Sequence, residues 1–306
     1  MKKQVFNINI LFLIIALLLT GCSPDNQVPV KQNIEVLDGL GRTVNLSSVP
    51  QKIISLAPSN TEILFAIGAG PQVVGRDEFS DFPVEAKGIT SVGGSMGKYS
   101  LEQISALHPD LILAAEINTR EQVKSFEDLG LNVYYLSNPK DLDGLYQNIL
   151  IIGQITGKDK ESKVLVESLQ NRVKVVTDMQ KQETKPVKVF YEMDGSEPSK
   201  PWTAGKGSYV DVLLTLAGGT NVANDAGVGW IQYSQEALIV ADPDVILLGD
   251  AAYGVTKESV TSRAGWDTLS AVMNNRIYPF DDNLVSRPGP RLVDALEQLS
   301  KLLINQ

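Results

Sequence analysis

The sequence predicts an α/β protein of two Rossmann-like lobes with parallel sheets, joined by a single long backbone helix. Three observations predict it. Short aliphatic runs alternate with amphipathic ones, the pattern of parallel strands covered by helices. The second half of the chain repeats the order of the first. Between the halves lies a long stretch close to helical spacing.

In the first lobe, expected over 33–140, Ile53-Ile54-Ser55-Leu56 reads as a buried strand. A helix follows to Ile67-Gly68-Ala69-Gly70, with Asn60 as its cap and Glu62 in its first turn. Strand Val73-Val74-Gly75, helix Leu101–Leu107, strand Asp110–Ala114, helix Glu121–Leu129 and strand Asn132–Leu136 complete the lobe. The second lobe, expected over 183–306, opens with strand Val187–Glu192 and helix Tyr209–Ala217. Helix Gln235–Val240, strand Asp244–Leu248, strand Arg276–Phe280 and a closing helix Pro290–Leu303 finish it.

The stretch 141–182 carries Leu145, Ile149, Ile152, Ile155, Val164, Leu165, Leu169 and Val173 at helical spacing. A continuous helix of that length would span about 60 Å, enough to bridge both lobes, with Gly153 and Gly157 as bending points. One internal match is specific. Leu101-Glu102 to Pro109-Asp110-Leu111-Ile112-Leu113 parallels Gln235-Glu236 to Pro243-Asp244-Val245-Ile246-Leu247, and each glutamate precedes its proline by seven residues. A helix, then Pro-Asp, then an aliphatic strand is ordinary α/β grammar.

The amino end addresses the chain. Lys2 and Lys3 precede the apolar run Ile8–Leu19, which is too short for a comfortable membrane span of about 20 residues and suits a secretory signal over 1–21. Leu19-Thr20-Gly21-Cys22 resembles the lipobox of bacterial lipoproteins, which implies cleavage before Cys22 and acylation there. Paired acyl chains would hold the protein to a bilayer. Polar residues 22–32, with Pro24 and Pro29, read as a flexible tether. The expected location is therefore extracytoplasmic and lipid-anchored to the cell membrane.

Composition excludes several functions. Removing residues 1–21 takes away Lys2 and Lys3 and no acid, leaving 25 Lys and Arg against 36 Asp and Glu. So acidic a chain without basic runs is a poor nucleic-acid binder. Cys22 is the single cysteine and His108 the single histidine. That leaves no His-rich metal site and no intramolecular disulfide. A Ser-His-Asp or Cys-His enzyme would have to use His108. That residue sits in the helix-to-strand turn Leu107-His108-Pro109-Asp110, where the second half has Asp242. A non-enzymatic protein without a cofactor is expected.

These landmarks together resemble the helical-backbone class of ABC-importer binding proteins, whose members bind cobalamin, haem or ferric siderophores. The resemblance runs from Asp38-Gly39-Leu40-Gly41-Arg42 through Ile53–Glu62, Pro109–Ile112, Ala217-Gly218-Gly219 and Pro243–Ile246 to the end. The segments Trp202-Thr203-Ala204-Gly205-Lys206, Trp230–Glu236 and Ser286-Arg287-Pro288-Gly289-Pro290-Arg291 are most similar to the cobalamin-binding branch. The resemblance implies that Phe79, Trp202, Trp230 and Arg287 line an interlobe pocket for a corrinoid, where rigid aromatics and a guanidinium suit a broad amide-rimmed ligand. Met96, with Tyr99 nearby, stands where that branch can carry a further tryptophan, and Asn283 where an acidic rim residue can sit. It also implies that Glu102 and Glu236 dock into arginines of a permease dimer, itself driven by ATPase subunits, with the binding protein acting as a monomer. The alternative ligands are haem, which needs an axial ligand from Tyr99, Tyr191 or Met96, and a ferric siderophore. Two other classes also remain: a lipoprotein serine hydrolase, and an adhesin or sensor that uses the fold without transport.

Overall fold

Ile34 and Val36 are buried while Glu35 and Leu37 face outward, and this alternation opens the chain as an antiparallel hairpin. Its strands are β1 (Ile34–Leu37) and β2 (Thr43–Leu46). Asp38 folds the turn by accepting from the Leu40 and Arg42 amides at 2.9 Å, and Gly41 supplies the left-handed residue. The computed structural model describes residues 33–180 and 185–304. The predicted leader, Cys22 and the tether lie outside the described residues.

The first lobe's sheet is fully parallel, in the order β4-β3-β5-β6: β4 (Val73–Arg76), β3 (Ile53–Ser55), β5 (Leu111–Ala115) and β6 (Val133–Leu136). Every residue of β3, β5 and β6 is buried, as strands covered on both faces must be. Its helices are α1 (Pro58–Ala66), α2 (Leu101–Ala106) and α3 (Arg120–Glu127). The α1 cap differs from expectation. Ala57 occupies the cap position with Pro58 in the first turn, where a missing N–H costs nothing. Asn60 is buried and donates instead to the carbonyls of Leu113 and Ala114 at 3.1 and 3.2 Å.

The predicted single helix over 141–182 is two helices, α4 (Leu142–Thr156) and α5 (Asp159–Gln180). Gly157 takes the left-handed conformation, φ 68°, which ends α4 and turns the chain back. Asp141, Leu142 and Tyr146 at the start of α4 share a pocket with Gln170, Val173 and Thr177 near the end of α5. The pair is therefore an antiparallel hairpin. Residues 156–163 carry no apolar side chain, and that gap, with Gly157, is where the predicted helix divides. Gly153 belongs to this packing: a Cβ there would lie 2.5 Å from the Ser162 Cβ.

The second lobe's sheet runs β10-β8-β7-β11-β12: β10 (Trp230–Gln232), β8 (Trp202–Ala204), β7 (Val187–Asp194), β11 (Val245–Leu248) and β12 (Ile277–Pro279). Strand β9 (Gly219–Asn221) lies parallel beside the amino half of β7. The expected parallel core, β7-β11-β12, is present, and β8 pairs antiparallel with both β7 and the edge strand β10, which the sequence did not reveal. Helices α6 (Tyr209–Leu216), α7 (Gln235–Ala241), α8 (Lys257–Thr261), α9 (Ser270–Met273), α10 (Asn283–Ser286) and α11 (Leu292–Ile304) complete the described chain.

The internal repeat has a physical basis. Asp110 Oδ2 accepts from the Gln51 and Lys52 amides at 2.7 and 2.9 Å, tying β5 to the entry of β3. Asp244 Oδ2 accepts from the Lys188 amide at 2.9 Å and ties β11 to β7 in the same way. The residues before the two prolines, His108 and Asp242, both have positive φ, 48° and 46°.

One apolar cluster runs through both lobes. It includes Ile63 and Ile67 of α1, Leu145, Ile149 and Ile152 of α4, Val166 and Leu169 of α5, Leu213 of α6 and Leu296 of α11. The outer faces have their own cores, around Phe126 in the first lobe and Trp266 in the second. An alanine inside a helix is ordinarily better than glycine by about 1 kcal/mol. Gly153→Ala is expected instead to destabilise by about 2 kcal/mol, an overpacking cost, read from urea unfolding. A stabilised variant would contradict the close α4–α5 approach.

Candidate functional site

In open α/β sheets ligands bind beyond the carboxyl ends of the strands, and most of the predicted site residues fall there. Pairing sets Trp230 opposite Ala204 and Gln232 opposite Trp202. Alternation along the pleat then puts both indoles on one face of the sheet. Both stay partly open, 39% and 38% exposed. Tyr191 stands behind them, its ring centroid 6.5 Å from that of Trp230, and its hydroxyl bonds to Asp282 Oδ1 at 2.5 Å. Burial, with the Asp282 carboxylate beside it, pushes the Tyr191 hydroxyl far above its ordinary value. The aromatic wall is thereby fixed to the 281–291 segment.

The first lobe contributes the loop 77–83, pinned from below. Ser80 bonds to Asp77 Oδ2. Thr61 Oγ1 lies 2.8 Å from both Ser80 Oγ and Ser55 Oγ. Asp77 Oδ1 accepts from the Phe79 amide at 2.8 Å. The backbone is held while the Phe79 ring remains exposed, as a contact surface requires.

Between the lobes lies a groove of about 480 Å³, lined by Asp81, Phe82 and Lys87 from one side and by Asn283, Arg287 and Arg291 from the other. Two ion pairs cross it. Arg291 meets Glu62 with two bonds, Nη2 to Oε1 at 2.5 Å and Nε to Oε2 at 3.0 Å, and lies 4.0 Å over the Phe82 ring. Arg287 Nη1 meets Asp81 Oδ1 at 2.6 Å. Burial pushes the Glu62 carboxyl above its usual range, though Arg291 opposes the shift. Burial works in the same direction on Asp81, but Arg287 outweighs it and holds that carboxyl low. On another flank the Tyr209 hydroxyl donates to the Pro139 carbonyl at 2.8 Å, also between lobes.

The remaining predicted residues are placed less uniformly. Asn283 is exposed beside Asp281, to which its Nδ2 donates at 2.9 Å. Tyr99 turns inward. Asn118 Nδ2 donates to its hydroxyl at 2.7 Å, its ring meets Phe126 edge-on, and burial pushes the hydroxyl up to about 12. Met96 is almost wholly exposed, in a single turn over Ser95–Gly97. The stretch Gly93-Gly94-Ser95-Met96-Gly97 has Gly-x-Ser-x-Gly spacing, but it forms that turn and not a strand-to-helix elbow. His108 precedes β5, at the amino edge of the sheet, the edge away from the site.

Glu102 and Glu236 occupy equivalent places. Each is the second residue of a short helix, α2 or α7, capped by Ser100 or Ser234 at 3.2 Å. Each helix leads through a short turn into its strand, β5 or β11, and both carboxylates are exposed. The backbone amide and the Ser234 hydroxyl hold Glu236 below the usual carboxylate range.

Glu62, Asp81, Arg291, Tyr191 and Asp282 were not identified as site residues from sequence, although Glu62 and Arg291 stood within the quoted motifs. Glu62 reads as a helix-dipole partner until its arginine, more than two hundred residues away, is known. Asp81 and Asp282 are ordinary loop acids until the fold pairs them. Tyr191 appeared only as a weak candidate axial ligand.

The family described as periplasmic binding protein matches residues 53–284. An uncharacterised ABC transporter substrate-binding lipoprotein of Bacillus subtilis (strain 168) is 32% identical, over 98% of this chain and 97% of its own. A solved structure of a periplasmic vitamin B12-binding protein of Vibrio cholerae is similar with a TM-score of 0.71 at 29% identity, covering 84% of this chain and 98% of that one. A periplasmic haem-binding protein of Roseiflexus sp. RS-1 in apo form gives 0.74 at 28% identity, covering 83% and 98%.

Removing one partner of a buried pair strands the other's charge. Arg291→Ala is therefore expected to cost about 3 kcal/mol in urea unfolding. A cost near zero would show that Glu62 does not depend on it.

Proposed function

Because the chain belongs to the periplasmic binding protein family, we propose that it is the substrate-binding subunit of an ABC importer and holds cobalamin or a related corrinoid between its lobes. It would work outside the cytoplasm, anchored to the cell membrane through acylated Cys22, and deliver ligand as a monomer to a permease dimer with its ATPase subunits. It performs no chemistry in this reading.

The observation that carries the ligand assignment is the pair of half-open indoles on one face of the β8–β10 ribbon. They stand in the lobe whose Arg287 reaches across the groove to the loop bearing Phe79. A broad, largely apolar ring with amide substituents suits rigid aromatic surface and a guanidinium with donors to spare. The similar proteins that bind vitamin B12 support the same ligand.

Haem is the second reading, favoured by the similar haem-binding structure. It needs an axial ligand. Tyr191 is 1% exposed and bonded to Asp282, and Tyr99 is bonded to Asn118. Met96 is the open candidate. A ferric siderophore with several negative charges would meet Asp81 and Asp281 beside the arginines. Visible absorption of the protein mixed with each ligand separates these readings.

Loss of one indole from a ligand-facing wall costs on the order of 1–3 kcal/mol, or about 5- to 150-fold in affinity. Trp202→Ala and Trp230→Ala are each expected to weaken cyanocobalamin binding by at least ~10-fold in calorimetric titrations. Unchanged affinity in both would remove these residues from the site. The double variant Glu102→Ala/Glu236→Ala should bind cyanocobalamin as the parent does and fail to support its uptake by cells. Normal uptake would rule out docking through these carboxylates.

A further inference from the structure

The two interlobe ion pairs are built differently. Glu62 is 2% exposed at its side chain and grips Arg291 with both oxygens. Asp81 is 49% exposed and touches Arg287 through a single bond. The first pair is set into the protein. The second is open to water on its acidic side, where such pairs contribute at most about 1 kcal/mol.

Arg287 itself is only 14% exposed. A guanidinium has five N–H donors in a fixed fork, and Glu62 Oε1, at 4.0 Å, lies beyond hydrogen-bond reach. Its other donors are available to the groove shared with Asn283 and Phe82. An oxygen on a ligand in that groove would approach the guanidinium where the Asp81 carboxylate now sits.

We infer that Asp81 is an internal competitor for the ligand: it holds Arg287 through one bond, and an amide or anionic oxygen of the ligand displaces it. The inference rests on the interlobe ligand site proposed above. Glu62 is the positioning residue in this scheme. By holding Arg291 it fixes the segment that carries Arg287, so Asp81 can leave without the lobes separating. Affinity is lowered by the fraction of Arg287 that Asp81 keeps engaged, as for any ligand whose binding-competent state is partly populated. This makes Asp81 a determinant of how tightly the site binds.

The test compares the full chain with Asp81→Asn, Arg287→Ala and the double variant, each titrated calorimetrically with cyanocobalamin and with haem. Asp81 is half exposed, so Asp81→Asn should fold and melt as the parent does. It is expected to bind cyanocobalamin about 3- to 5-fold more tightly, the release of a pair whose carboxylate is half exposed and which is worth up to about 1 kcal/mol. The gain should vanish in the Arg287→Ala background, as the coupling of two contacting residues requires. Equal or weaker binding by Asp81→Asn, with the parent binding normally, would overturn the inference and make the pair a clasp that helps hold ligand. A parent protein that binds haem and not cyanocobalamin would overturn the corrinoid reading alone. The haem titrations then decide on Asp81 by the same criterion, tighter binding supporting competition and equal or weaker binding refuting it.

Discussion

The inner faces of the two sheets share one interior. A single apolar layer, built from α1, α4, α5, α6 and α11, packs against the inner faces of both. Opening one lobe against the other would expose that layer to water at roughly 25 cal/mol per Å² of apolar surface. Large hinge motion is thus opposed by the same burial that folds the chain. The α4–α5 hairpin is the piece that makes the layer continuous, and the close approach at Gly153 and the reversal at Gly157 are the local conditions for it.

A fixed pair of lobes explains how the site is assembled. Each lobe presents its strand ends, loops and capped helices at a set position, so recognition falls to exposed groups on a stiff frame. The indoles are held by strand register and by the Tyr191–Asp282 contact. Phe79 is held by a buried chain of hydroxyls and a carboxylate beneath its loop. Glu102 and Glu236 are presented by the same repeated unit in each lobe. Two equivalent acidic groups on one body are what the proposed docking onto a permease dimer calls for. The weakly held Asp81–Arg287 pair leaves adjustment to single side chains.

Sequence reading succeeded where the determinants are local. Aliphatic runs placed β3, β5, β7 and β11 to within two residues, and the Pro-Asp repeat correctly marked equivalent units. It failed where the outcome depends on partners distant in sequence. Strands β8 and β10 were missed because strands of three residues carry too little alternation to register. The hairpin of α4 and α5 reads as one helix when Gly157 is taken as a bend, although the polar run 156–163 interrupts the apolar spacing there. Of the proposed site, the motif residues Trp202, Trp230 and Arg287 were named through resemblance. Their supports, Tyr191, Asp282, Glu62 and Arg291, were not, since a carboxylate opposite an arginine is a fact of packing.

The shared layer should keep the lobes at one spacing with or without ligand. Spin labels on Leu129→Cys and Val240→Cys, exposed residues in opposite lobes, in a chain with Cys22 replaced by serine, would report that spacing by pulsed dipolar spectroscopy. The account predicts one narrow distance distribution whose peak moves by less than about 2 Å when ligand saturates the protein. A second population without ligand, or a shift on the order of 5 Å or more as in hinge-closing binding proteins, would contradict it.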